Sequence, residues 1–220
     1  MRTLSIETTT HGRVLVEDAR ALALGTIVVF HGYGQSADDV LAEATRIPDV
    51  SRWTIVAVQG LHRFYTRSDD KVIASWMTRQ DRDEAIADNI AYVDRVVGSL
   101  APVGALVYMG FSQGVAMAYR AALLGTRRAD GIIALAGDIP PELKTGAPSE
   151  RWPPVLIGVG DKDTWYTPEK VDGDLTFLAA HEVPHDLLRF NGGHVWTGEF
   201  REASSRWLQR LSQAAARSST

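Results

Sequence analysis

The hydrophobic positions of the chain fall into short apolar runs separated by amphipathic stretches. Thr26-Ile27-Val28-Val29-Phe30, Trp53 to Val58, Ala105-Leu106-Val107-Tyr108-Met109, Gly131 to Ala136 and Val155 to Val159 carry no charge. Runs of this length without an exposed polar face predict strands covered on both sides, as in a parallel sheet. Asp186 to Phe190 reads as the last strand. Thr3 to Glu7 and Arg13 to Glu17 alternate instead, with Leu4 and Ile6 on one face. Joined through Thr8 to Gly12, they predict an antiparallel hairpin at the sheet edge.

Between the runs the period becomes helical. Ser36 followed by Asp39 matches a capping box for a helix to about Arg46. Asp81, with Glu84 three residues on, starts a helix to about Leu100 whose apolar stripe is Ile86, Ile90, Val93, Val97 and Leu100. Val115 to Leu124 follows, with Gly125 placed at its C′ position. Asp172 to His181 is helical, and a closing helix carries Phe200, Ala203, Trp207 and Leu211 on one side. Gln59 to Gln80 is a long loop holding Phe64, Tyr65, Trp76 and Met77. Gly137 to Pro154 contains five of the nine prolines, reads as irregular, and is too short for a large lid domain. Strands alternating with helices predict a three-layer α/β fold on a mostly parallel sheet, with residues 1–220 as one domain.

Composition narrows the function classes. A net charge of −4 without a Lys/Arg cluster argues against a broad nucleic-acid footprint. The absence of cysteine excludes disulfides, thiolate catalysis and cysteine-held zinc. Met1 to Gly12 contains no apolar leader core, and no run is long enough to cross a bilayer. A cytoplasmic protein without membrane insertion is expected.

The chemistry gathers around Gly110-Phe111-Ser112-Gln113-Gly114. A strand before it and a helix after it supply the context that a nucleophile elbow requires. The glycines relieve crowding at a strained turn, and the helix N-terminus offers free N–H groups to a developing negative charge. A serine hydroxyl needs a base held by a carboxylate. His194, in a Gly-Gly-His loop after the last strand, is the candidate base. His31 precedes the serine and suits the bracing of an oxyanion loop, while His11 and His62 read as solvated. His181-Glu182-Val183-Pro184-His185 matches a zinc-protease pattern, but Pro184 disfavours the continuous helix that pattern needs. Asp161 and Asp163 both follow a strand end. Asp163 is the better placed to turn back toward the histidine, and Asp161 to cap the turn. Oxyanion donors are expected from the backbone N–H of Gln113 and of Tyr33, where Gly32 and Gly34 allow close approach.

His31-Gly32-x-Gly34, Gly110-Phe-Ser-Gln-Gly114, Gly160-x-x-Asp163 and Gly193-His194 together resemble the phospholipase/carboxylesterase family of α/β-hydrolases, which includes bacterial carboxylesterases and acyl-protein thioesterases. The similarity spans nearly the whole chain, and Ser75-Trp76 resembles the family's Ser-Trp. The chain departs from the family at Thr164, where Pro is frequent, and at Gln35, where Asp is usual. The resemblance implies a lidless α/β-hydrolase with a Ser112–Asp163–His194 triad and Tyr33 and Gln113 as oxyanion donors. It implies cleavage of carboxylic esters or thioesters. Large aromatic side chains gathered on the loops around Ser112, with no lid to extend the pocket, predict small to medium apolar acyl groups, and neither cofactor nor metal is expected. Phe64, Tyr65, Trp76, Trp165, Tyr166 and Trp196 are candidates for substrate contact. The partner expected is a small-molecule ester, and a homodimer stays open. So does a second class of function, a slow or inactive ligand-binding protein on the same fold.

Overall fold

A strand without a polar face must be covered on both sides, so each apolar run calls for helices above and below it. A computed structural model describes residues 1–146 and 149–218. In chain order its elements are β1 (Val14–Glu17), β2 (Gly25–Phe30), α1 (Ala37–Ala44), β3 (Trp53–Val58), β4 (His62–Tyr65), β5 (Val72–Ser75), α2 (Arg82–Leu100), β6 (Ala105–Phe111), α3 (Gln113–Leu124), β7 (Gly131–Leu135), α4 (Pro141–Gly146), β8 (Val155–Gly160), α5 (Pro168–Ala180), β9 (His185–Phe190) and α6 (Gly198–Ser218). The main sheet has the order β1-β3-β2-β6-β7-β8-β9, parallel throughout except for β1 against β3. Along β2, Val28 and Phe30 enter the core beneath α2, α3 and α5, and Ile27 and Val29 enter the core beneath α1 and α6. Each such fully buried side chain contributes roughly 1.5–3 kcal/mol, which is what makes the alternation decisive.

The strand order places a crevice. From β2 the chain moves to β3 on one side, then returns through α2 to β6 on the other side of β2. Loops leaving the carboxyl ends of β2 and β6 therefore diverge, which is where α/β sheets bind ligands. Register aligns those ends: Phe30 lies opposite Gly110, Phe111 opposite Leu135, and Gly160 opposite Phe190.

Several expectations are corrected. Residues 3–7 form no strand, and β1 pairs with β3 rather than with an N-terminal arm. Leu4 and Ile6 are exposed, because alternation without a partner strand gives them nothing to bury against. The long loop before α2 contains a two-stranded antiparallel ribbon, β4–β5, with Phe64 opposite Ile73. Asp81 precedes α2 in a left-handed conformation and makes no side-chain cap, so no capping box forms there. The buried face of α2 includes Asn89 and Tyr92, while Leu100 is exposed. Polar tips are tolerated on that face because they find acceptors: Asn89 Nδ2 donates to Trp76 O at 2.8 Å and the Tyr92 hydroxyl to Arg13 O at 2.9 Å. The stretch from Gly137 to Pro154 holds α4 and a 3₁₀ turn at Ser149–Arg151, and Ala147 and Pro148 within it lie outside the described residues. Buried Arg120 of α3 donates to Glu142 at 2.6 and 2.9 Å and so fastens α4 to that helix. The capping box of α1 forms as expected, with Ser36 and Asp39 bonded reciprocally.

Candidate active site

Ser112 stands between β6 and α3 at φ 54°, ψ −121°, a conformation that costs a non-glycine residue energy and persists only where its surroundings enforce it. Packing enforces it. A Cβ at Gly110 would lie 2.3 Å from Gly114 O, one at Gly114 would lie 2.2 Å from Phe30 O, and one at Gly137 would lie 2.6 Å from Ser112 O. The turn is thus squeezed between β2 and the end of β7, and the Ser112 N–H donates to Leu135 O at 2.9 Å.

From this turn the Ser112 hydroxyl reaches His194 Nε2 at 2.7 Å, and His194 Nδ1 reaches Asp163 Oδ2 at 2.8 Å. The Asp163 side chain is wholly buried and that of His194 is 23% exposed, so the imidazole separates a dry carboxylate from an open hydroxyl. The other oxygen of Asp163 accepts the N–H groups of Trp165 and Tyr166 at 2.8 and 3.0 Å. Asp161 caps the loop that leads to His194 by accepting the Gly192 N–H at 3.1 Å. His181 ends α5 and His185 opens β9, so the two share no helix face.

His31 is fully buried and braces two loops. Its Nε2 accepts the Gly60 N–H at 3.0 Å, so the proton resides on Nδ1 and is donated to Gly32 O at 2.7 Å. Trp76 stacks on the ring at 5.0 Å between centroids and donates its indole N–H to His31 O. Burial lowers the His31 pKa below its ordinary 6.5, against smaller opposing contributions from the Gly32 carbonyl and Asp39. Below the ordinary value the unfolded chain binds a proton that the folded chain refuses. Stability is therefore complete above that value and is lost as pH falls toward the depressed one. Urea unfolding should show a larger loss of stability in wild type than in His31→Gln between about pH 7.5 and about pH 5.5. Parallel losses would mean that the ring titrates freely.

Among the described residues, neither the Tyr33 N–H nor the Gln113 N–H has a hydrogen-bond partner. The loop carrying Tyr33 is held by Gly34 N–H to Ala74 O at 3.0 Å, Ala74 N–H to Gln35 O at 2.8 Å and Gly32 N–H to the Gln35 side chain at 2.7 Å. Gln35, the departure from the usual Asp, thus closes the loop itself. The Gln113 side chain accepts from Trp76 N–H at 3.0 Å and donates to Met77 O at 3.0 Å, tying the elbow to the segment after β5. That contact had no periodic or motif signal in the chain.

The six aromatic candidates divide. Trp76 and Tyr166 are buried rather than ringing an open pocket, and their polar tips are bonded inside the protein, to His31 O and to Asp174. Phe64 packs on Tyr33 at 5.9 Å, with Tyr65 exposed beside it. Trp165 is 73% exposed, two residues after Asp163. Trp196 packs between Phe111 and Phe200, and Phe111 lies 5.0 Å from the His194 ring.

With that geometry in view, the chain was compared with known proteins. The sequence profile of the family described as phospholipase/carboxylesterase matches residues 11–166. No curated protein sequence matches. Among solved structures, acyl-protein thioesterase 2 of Zea mays is 18% identical with a TM-score of 0.74, covering 92% of this chain and 100% of its own. A phospholipase/carboxylesterase from Dyadobacter fermentans is 20% identical with a TM-score of 0.69, covering 92% and 99%. The Bacillus cereus carboxylesterase is 15% identical with a TM-score of 0.69, covering 91% and 94%. At these identities the likeness establishes the fold. Among the described residues, no helix is long and apolar enough to cross a membrane.

Proposed function

Because the chain belongs to the phospholipase/carboxylesterase family of α/β-hydrolases, we propose that it cleaves carboxylic esters, and thioesters of the same acyl groups, through Ser112, His194 and Asp163. The observation that carries this reading is the unbroken line from Ser112 Oγ to His194 Nε2 and from Nδ1 to Asp163 Oδ2. His194 takes the serine proton as the hydroxyl attacks the carbonyl, and Asp163 stabilises the imidazolium without taking its proton. The oxyanion of the tetrahedral intermediate accepts hydrogen bonds from the free N–H groups of Gln113 and Tyr33. Collapse expels the alcohol or thiol, which receives the proton from His194, and leaves an acyl group on Ser112. Water activated by the same imidazole then releases the acid. A fluorophosphonate probe should label wild type at Ser112 and leave Ser112→Ala unlabelled. Labelling elsewhere would end the assignment.

The acyl site in this reading is apolar and short. Trp76 and Tyr166 are interior, so Phe64, Tyr65, Trp165 and Trp196 remain as candidate walls. Each methylene taken up contributes at most about 0.8 kcal/mol, roughly fourfold in kcat/KM, and less where the wall stays wet. Across nitrophenyl esters from acetate to palmitate, kcat/KM is expected to rise, peak at a short-to-medium chain and then fall, with little activity on emulsified lipid. A value still climbing at palmitate would mean an open groove.

A further inference from the structure

The acid carboxylate is aimed by atoms that are themselves held from a distance. Asp163 Oδ1 accepts the backbone N–H groups of Trp165 and Tyr166, so the direction of Oδ2 toward His194 depends on where the turn at 164–167 lies. That turn is irregular, and its outer residue, Trp165, is solvent-exposed. Its inner residue carries the anchor. The buried Tyr166 side chain donates its hydroxyl proton to Asp174 Oδ2 at 2.9 Å. Asp174 projects from α5 with 1% of its side chain exposed. The same oxygen accepts the Ile139 N–H, at 3.0 Å, from the segment that leaves β7. Lys144 Nζ of α4 lies 2.7 Å from Asp174 Oδ1, an ion-pair distance at an angle outside hydrogen-bond geometry.

A buried tyrosine–aspartate pair is a costly way to fill a core. A phenylalanine and a leucine would occupy the same space without desolvating a carboxylate, and such replacements are often neutral or stabilising. What the apolar pair would lack is direction. A hydroxyl bonded to a carboxylate that is fixed at α5, at the segment after β7 and beside α4 holds the Tyr166 backbone at one place. The Tyr166 N–H is one of the two donors that orient Asp163.

We propose that Tyr166 and Asp174 form a positioning strut that sets the direction of the Asp163 carboxylate toward His194 in ester cleavage. The proposal rests on the triad reading above. Neither residue touches substrate or His194. Their effect passes through the acid to the imidazole, so its signature is the protonation of His194. A carboxylate turned away stabilises the imidazolium less, which moves the acidic limb of kcat/KM to lower pH.

The test is a pH series of nitrophenyl ester hydrolysis for wild type, Tyr166→Phe, Asp174→Asn, Asp174→Ala and Asp163→Asn. In Tyr166→Phe we expect kcat to fall about tenfold, KM to stay within about twofold, and the acidic limb to move down by a few tenths of a pH unit. Asp174→Asn keeps an oxygen for the hydroxyl and for Ile139 N–H, and the part-exposed Lys144 ammonium that its NH2 group would face has solvent to turn to, so its limb should match wild type. Asp174→Ala removes the anchor, should behave like Tyr166→Phe, and carries the same expectation should that variant fail to fold. An unmoved limb in Tyr166→Phe or Asp174→Ala, whatever its thermal stability, would reduce the pair to core filling and overturn the proposal. Asp163→Asn separates the two claims. Its inactivity beside wild-type behaviour of Tyr166→Phe overturns the strut alone, and its full activity overturns the triad reading and the strut together.

Discussion

Replacing Ser112 by alanine is expected to yield a folded protein whose ester hydrolysis is lower by about three orders of magnitude or more, the scale on which nucleophile removal acts in serine hydrolases. The fold should tolerate the change. Alanine accepts the same φ of 54° at a similar cost, and the Cβ already present at that turn is retained. What disappears is one hydroxyl, 2.7 Å from His194 Nε2 in a half-open site. Any residual rate would come from the oxyanion donors and from binding alone. Steady-state rates, with fluorophosphonate titration to exclude wild-type contamination, check this. Retention of more than about a tenth of wild-type kcat/KM would remove Ser112 from the mechanism.

Asp163→Asn should cost about three to four orders of magnitude in kcat, and Asp161→Asn less than about threefold. The asymmetry follows from hydrogen-bond polarity. Two backbone N–H groups point at Asp163 Oδ1, so an asparagine there must turn its amide oxygen to them. Its NH2 group then faces His194 Nδ1. Two donors cannot share that contact, so the imidazole must carry its proton on Nε2 and can no longer accept one from Ser112. Asp161 accepts the Gly192 N–H, and an amide oxygen does so equally well. Equal losses in the two variants would overturn the distinction.

Much of this arrangement was legible along the chain because the relevant signals are local. Uncharged apolar runs became buried strands at β2, β3, β6, β7 and β8, since burial on both faces leaves no other composition. Ser112 and Asp163 follow such runs and His194 follows the last strand, so parallel pairing brings the three to one sheet edge, which is why they could be named together. The failures are tertiary. Leu4 and Ile6 alternate like a strand but have no neighbour, whereas β1 finds β3. The β4–β5 ribbon is joined by six residues without a tight-turn signature, so nothing marked it off from loop. Trp76 and Tyr166 carried the same signal as Phe64 and Trp165, large aromatics in a loop near the site. Only packing shows that the first pair points inward to His31 and Asp174.

The strands that present Ser112 and His194 are unequally secured. β6 runs between β2 and β7 with all seven residues buried, whereas β9 is the edge strand, bonded among the described residues to β8 alone, with only Phe190 buried. Opening of an edge strand requires far less free energy than global unfolding, and amide exchange in such a strand runs ahead of the centre. Opening of β9 would carry His194 away and withdraw Phe190 from the core beneath α1 and α6, while Ser112 stays at the end of central β6. On the proposed triad, activity is therefore expected to be lost before global unfolding, with amide exchange in β9 running ahead of that in β6.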